Sequence, residues 1–276
     1  MKKILLTALI STVTCSAALA DNYQIELEGG YSNQEDSLDI GDREITSDRK
    51  GPSLRGRYYF SPIDTRNAPL TEAAFLNKAS YIDAGYADLE TTYNFNGFGL
   101  PEEGTHSLLK LSGQAVFNDS WLVKLGAHRL EQDSESETFK TIGFGGYIND
   151  NTTVVFSYTD LDGGNAYDLA MHKVMNLNND TYLSFDAGLG RIEGDNDSSE
   201  SGFFIGAKYH PLARLSLGLE YQHRKFNEDL FFGKGLKANA TYFVTSKFSL
   251  SAEYFTGEYV FGSDVSRFDV KAAVRF

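Results

Sequence analysis

Apolar and polar residues alternate from Ser266 to Phe276 (SRFDVKAAVRF) almost without a break. Phe268, Val270, Ala272, Val274 and Phe276 share one face of an extended strand, and Arg267, Asp269, Lys271 and Arg275 share the other, with Ala273 neutral there. This pattern arises where one face covers a core, or where one face meets lipid while the other lines a wet lumen. The same period of two recurs in about fourteen segments of roughly membrane-crossing length. In the first, Tyr23, Ile25, Leu27, Gly29 and Tyr31 oppose Glu26 and Glu28; in the second, Leu54, Gly56, Tyr58 and Phe60 oppose Arg55 and Arg57. Trp121, Val123, Leu125 and Ala127 oppose Lys124 and His128, and Phe203, Ile205, Ala207 and Tyr209 oppose Lys208. Leu215, Leu217, Leu219 and Tyr221 oppose Glu220; the next two segments set Leu236, Ala238 and Ala240 against Lys237, and Leu250, Ala252 and Tyr254 against Glu253. Around Ala79 to Thr92 the phase is ambiguous. The expectation is an all-β, closed antiparallel transmembrane barrel of about 14 strands, with 12 and 16 as the neighbouring even counts.

The connections sort into two kinds. Asn118 to Ser120, Asn149 to Asn151, Leu177 to Asp180, Pro211 to Ala213 and Val244 to Ser246 are tight. Ser32 to Lys50, Asn94 to Gly104, Glu131 to Thr138, Asp160 to Ala166, Ile192 to Glu200, Lys225 to Lys234 and Gly257 to Val265 are long, polar and mostly acidic. They alternate along the chain, as short periplasmic turns and long extracellular loops do. One connection on the short side breaks the rule: Ser61 to Ser80 (SPIDTRNAPLTEAAFLNKAS). Within it Thr71 to Lys78 reads as a short helix, with Pro69 ahead and Thr71 as N-cap.

Composition sharpens the picture. A mean hydropathy of -0.32 would suit a water-soluble protein, but alternation hides a lipid face from any averaging window. No segment after the N-terminal one approaches the apolar length of a membrane helix. Lys2, Lys3, the apolar run Ile4 to Val13 and Ala18-Leu19-Ala20 form a secretory signal peptide over residues 1–20, cut before Asp21. The mature domain is then 21–276. Cys15, the one cysteine, falls in the signal, so no disulfide, thiolate chemistry or metal site is expected, and no cofactor. Loss of Lys2 and Lys3 takes the formal charge from -13 to -15, which argues against a nucleic-acid partner.

The run YYFSPIDTRNAPLTEAAFLNKAS resembles the general porins of gammaproteobacterial outer membranes, which carry a Phe-x-Pro-(Val/Ile)-Asp-Thr stretch followed by Pro-Leu-x-Glu-Ala-Ala-Phe-Leu. The resemblance implies an outer-membrane barrel in contact with lipid and lipopolysaccharide, passing small hydrophilic solutes. A terminal Phe276 resembles the residue by which the barrel insertion machinery reads such chains. No catalytic residue follows from the family.

The five histidines, His106, His128, His172, His210 and His223, lie on different segments without metal-ligand spacing, so a non-enzymatic protein is expected. The inward faces supply the candidate pore lining: Arg55, Arg57, Lys124, His128, Lys208, Glu220, Lys237, Glu253, Arg267, Asp269 and Lys271. Lys110, Lys140, Asp168, Asp186 and Arg224 read as inward too. The lumen is therefore mixed in charge, and the acid excess sits in the loops. Arg66, Glu72 and Lys78 of segment 61–80 are candidates for a constriction folded into the lumen. Tyr31, Tyr58, Tyr59, Phe60, Trp121, Tyr158, Tyr209, Tyr221 and Phe276 fit interfacial girdles. The leading reading is a porin for passive diffusion through a narrow charged lumen. The rival is a largely closed barrel that binds surface partners through its acidic loops. Oligomeric state is not readable from these residues.

Overall fold

A computed structural model of the chain describes residues 22–40, 43–95, 102–132, 135–178, 180–194, 199–226, 231–258 and 263–276. The expected signal peptide and its cleavage site lie outside them. Fourteen strands follow in order: β1 (Asn22–Ile40), β2 (Arg43–Asp64), β3 (Tyr81–Phe95), β4 (Glu102–Phe117), β5 (Trp121–Gln132), β6 (Glu135–Asn149) and β7 (Thr152–Leu161). The second seven are β8 (Gly164–Asn178), β9 (Thr181–Gly194), β10 (Ser199–Leu212), β11 (Leu215–Phe226), β12 (Phe231–Thr245), β13 (Phe248–Glu258) and β14 (Asp264–Arg275). A single-turn helix, α1 (Ala73–Leu76), lies between β2 and β3. Each strand pairs antiparallel with its sequence neighbours, and β1 pairs β14 from Glu26↔Arg275 to Ser37↔Asp264. The sheet is thereby a closed barrel with no free edge.

The outer wall carries the apolar residues. Leu54, Phe60, Leu125, Leu189 and Ile205 are each more than half exposed on it, an arrangement that only a lipid solvent makes favourable. Trp121 stacks on Phe144 at 5.4 Å near the short-turn end, as a girdle aromatic does. The turn into β5 uses Asn118 (φ 49°) and Asp119 (φ 55°), whose short polar side chains tolerate the left-handed region.

Several expectations are corrected. Ser32 to Lys50 is not a loop: β1 and β2 run 19 and 22 residues, against roughly 9–11 needed to cross, and stay paired to Ile40↔Arg43. Beyond the bilayer both faces meet water, so pairing continues without an apolar alternation to reveal it. Asp160 to Ala166 is likewise a tight hairpin, with Leu161↔Gly164 paired and Gly163 at φ 87°. Tyr23 does not face lipid; a register shift between Tyr23 and Ile25 turns it inward, where it is buried. Tyr59 is buried as well and belongs to no girdle. Lys140 pairs in register with the outward Ala127, which places it on the outer face.

The buried apolar core is not along the wall but inside the short-turn end. Tyr23, Tyr59, Ile63, Ala68, Ala73 and Ala79 form one cluster, with Ala74, Leu76 and Tyr81 against it. Leu122, Tyr147 and Val155 form another, joined by Phe75 and Val116. Burial contributes about 1.5–3 kcal/mol for a side chain such as Ile63, so residues 65–80 are held by packing rather than by strand pairing.

Candidate functional site

Segment 65–80 crosses the short-turn end of the barrel and touches its wall on every side. The Leu70 N–H donates to Ala213 O (2.8 Å), after β10, and Leu70 O accepts from Arg275 Nη1 (2.9 Å) on β14. Tyr182 on β9 donates its hydroxyl to Asn67 O (3.2 Å), and Gln114 on β4 donates to Ala79 O (3.0 Å). Phe75 stacks on Tyr147 of β6 at 5.4 Å and meets the ring of His172 on β8 edge-on at 4.3 Å. Its carbonyl accepts the Tyr147 hydroxyl at 2.9 Å.

Glu72 stands at the centre. It is the N-cap residue of α1 but makes no side-chain cap, so the expected Thr71 cap is replaced. The Thr71 hydroxyl instead meets His210 Nδ1 at 3.4 Å. Glu72 Oε2 lies 3.0 Å from His172 Nε2, and Oε1 lies 3.7 Å from His210 Nε2. His172 Nδ1 is 2.6 Å from Asp186 Oδ1, and Lys208 Nζ is 3.3 Å from Asp186 Oδ2. His210 is fully buried, with Nε2 also 2.9 Å from the Ser184 hydroxyl. Both His172 nitrogens face carboxylates, and only the imidazolium can donate to both. Burial pushes the Glu72 carboxyl upward, but the hydrogen bond with His172 and the charges of Lys208, His172 and His210 together hold it below its ordinary value. At the rim, Lys78 Nζ reaches Asp150 Oδ1 (2.8 Å) in the β6–β7 turn and holds that exposed carboxyl low.

Above the segment the inner wall alternates in sign from strand to strand. Arg55 Nε (2.5 Å) and Arg57 Nε (3.1 Å) converge on Asp83 Oδ2 of β3. Lys237 Nζ meets Glu220 Oε1 at 2.9 Å; Arg267 bridges Glu253 (3.0 Å) and Asp269 (2.9 Å). A cavity of about 380 Å³ is lined by Glu28, Asp186, Lys208, Glu220, Lys237, Glu253, Asp269 and Lys271, with Asn239, Thr241 and Ser251 between them. Lys124 and His128 share the inner face of β5 with no carboxylate at ion-pair distance among the described residues. Of the three residues expected at a constriction, Glu72 alone joins the inner-wall charges. Arg66 is exposed and pairs with Asp64 (2.6 Å), and Lys78 points to the rim.

Two members of this site escape a reading of the sequence. Asp83 lies on the strand of ambiguous phase. The meeting of His172 with Asp186 needs the β8–β9 register, in which the two are direct partners. Among the described residues no His, Cys, Asp or Glu cluster has metal-holding geometry. The arrangement provides fixed, mostly paired charges around a polar cavity; the hydroxyl–imidazole contact of Ser184 with His210 is fully buried.

The fold has solved counterparts. Over 94% of this chain and 100% of that one, the outer membrane protein Omp33 of Acinetobacter baumannii is similar at 17% identity and a TM-score of 0.63. The TodX deltaS2S3 mutant monoaromatic hydrocarbon channel is similar over 98% and 94%, at 11% identity and a TM-score of 0.61. The translocator domain of the autotransporter NalP of Neisseria meningitidis reaches a TM-score of 0.53 at 10% identity, over 100% and 95%. A search by sequence against curated proteins returns no match. A family model described as "Putative general bacterial porin" matches residues 1–176. The signed, wet interior, the lipid-facing wall and that match lead to one conclusion: the chain belongs to this porin family and is a channel-type β-barrel of the bacterial outer membrane.

Proposed function

We propose that the protein is a narrow diffusion channel for small hydrophilic solutes, constricted at its periplasmic end by segment 65–80. The carrying observation is the contact set of that segment: hydrogen bonds or ring contacts reach β4, β6, β8, β9, the β10–β11 turn and β14. A solute passing from the charged cavity to the periplasm has to pass this segment or displace it. Opposed charges such as Lys237–Glu220 and Arg267–Glu253 orient a dipolar solute and replace part of its hydration. Arg55, Arg57, Lys124 and His128 face the same path from the opposite sector of the wall.

Planar-bilayer recording of the purified protein, together with swelling of proteoliposomes in small sugars and amino acids, tests this reading. Discrete steps and size-limited swelling are expected. Silence in both assays would contradict it and favour the closed-barrel rival.

A further inference from the structure

Among the described residues, three of the four buried side-chain polar atoms without a hydrogen-bond partner lie together, toward the extracellular ends of β2 and β3. They are Ser47 Oγ, Arg49 Nε and Thr91 Oγ1; the fourth, Tyr23 Oη, belongs to the packed core at the opposite end. Arg49 and Thr91 are direct register partners, and Ser47 is two residues further along the same face of β2. Ser47 and Arg49 share the inward parity of Arg55 and Arg57, and Thr91 shares that of Asp83. Sheet geometry puts the three side chains within about 8 Å of one another, facing the mouth of the lumen. Thr91 is 1% exposed, so bulk water does not serve its hydroxyl. Buried polar groups are ordinarily bonded, and three orphans in one place point to a ligand that bonds them.

The neighbouring strands show what charge is missing. Across β2, β1 and β14 the register row runs Arg49, Gln34, Arg267. Arg267 is already bonded to Glu253 (3.0 Å) and Asp269 (2.9 Å). Asp36, the register partner of Ser47, accepts Gln34 Nε2 through both oxygens, at 3.1 and 3.0 Å. Neither Asp36 nor any other described carboxylate forms an ion pair with Arg49. The next inward residues of β14 below this row, Asp269 and Lys271, line the charged cavity. The orphan donors therefore stand at its extracellular lip.

We propose that Ser47, Arg49 and Thr91 form a binding station for the carboxylate of a small organic acid entering the lumen from outside. A carboxylate has about four lone-pair sites. Nε–H and one Nη–H of Arg49 form a planar fork that fills two of them, and the Ser47 and Thr91 hydroxyls donate to the others. A neutral polar solute would serve the hydroxyls but leave the guanidinium without an anion. Below the station the same face of β2 presents Arg55 and Arg57, the first of them about 20 Å closer to the periplasm. Onward passage of the acid rests on the channel reading; its binding at the lip does not.

Saturation-transfer NMR on the full-length barrel in detergent, with propionate as probe and propionamide as its neutral counterpart, tests the proposal. Propionate is expected to bind, and propionamide is expected not to displace it. Arg49→Gln should weaken binding about tenfold or more, the equivalent of a hydrogen bond to a charged group. Arg49→Lys keeps the charge but loses the fork, and should weaken it less. Arg129→Gln, on the outer wall, should leave it unchanged. Thr91→Val removes one orphan hydroxyl at equal shape, so affinity should fall a few-fold while the temperature at which the barrel loses its folded mobility on gels holds or rises. A hydroxyl with only a structural role would lower both, and that result would overturn the proposal. Undiminished affinity in Arg49→Gln, or equal binding of propionamide, would also overturn it. So would a loss in Arg57→Gln with none in Arg49→Gln, which gives the acid to the deeper arginines. Propionate binding in a barrel that shows no conductance would refute the channel reading and uphold the station; conductance without binding would do the reverse.

Discussion

Glu72 Oε2 sits 3.0 Å from His172 Nε2, joining the segment after β2 to the inner face of β8 a hundred residues on. Glu72 is 4% exposed, so this is a desolvated, charge-assisted contact. Replacing Glu72 by Gln keeps the shape and removes the charge. A hydrogen bond to a charged group contributes about 1.5–3 kcal/mol, so the ratio of docked to undocked segment should fall about tenfold or more. Single-channel recording should show more frequent or longer open states in Glu72→Gln; unchanged opening would mean that the contact holds nothing.

Acid should act on the same contact. The docked Glu72 carboxyl titrates below its ordinary value, so docking is favoured while Glu72 is ionised, above the free carboxylate value of about 4.3, and the benefit is lost as pH falls through the lower docked value. His172, His210 and Lys208 face the same carboxylate and stay cationic or become so under acid. Conductance is therefore expected to rise as the periplasmic-side solution is acidified below about pH 4. Glu72→Gln should lack that rise, and a matching rise in the variant would assign it elsewhere.

How far the sequence discloses this architecture depends on what each strand faces. Where one side meets lipid and the other water, as in SRFDVKAAVRF, period two is plain and the fold follows. It fails in β3 because Tyr81, on the inward side, packs against segment 65–80 and under the Arg57 guanidinium (4.3 Å), leaving apolar residues on both faces. Asp83 stayed hidden there. It fails at Tyr23 because one bulge residue reverses the side on which Tyr23 lies. The β1–β2 extension beyond the bilayer is polar over most of both faces, and Leu38, Ile40 and Ile45 are too few to mark it as strand. The latch around Glu72 was legible only as an odd insertion, since its partners come from strands whose registers no local pattern reveals.

Arg275 ties the end of the chain to its beginning and to the segment. It meets Glu26 Oε2 at 2.6 Å and Leu70 O at 2.9 Å, between the rings of Tyr23 (4.5 Å) and Phe243 (4.6 Å). Arg275→Ala leaves the partly buried Glu26 without its cation and the Leu70 carbonyl without its donor, a loss of about 1.5–3 kcal/mol for a hydrogen bond to a charged group. The temperature at which the barrel loses its folded mobility on gels should drop, with a milder drop for Glu26→Gln.

Asp83 is fully buried and takes both Arg55 and Arg57. Asp83→Asn removes the one negative charge between two guanidinium groups and so raises the net positive charge of this cluster on the inner wall. In a salt gradient the reversal potential should move toward the anion value, because selectivity follows the charges nearest the path. A shift toward cations, or none, would place this cluster away from the permeating ion.

The central claim is that segment 65–80 narrows the channel. Deleting residues 67–78 and rejoining the ends with a short Gly-Ser linker leaves all fourteen strands intact, and single-channel conductance in planar bilayers reads the outcome directly. The account expects a folded barrel with conductance several-fold above that of the unaltered protein, and loss of the pH response with it. Equal conductance before and after the deletion would contradict the claim.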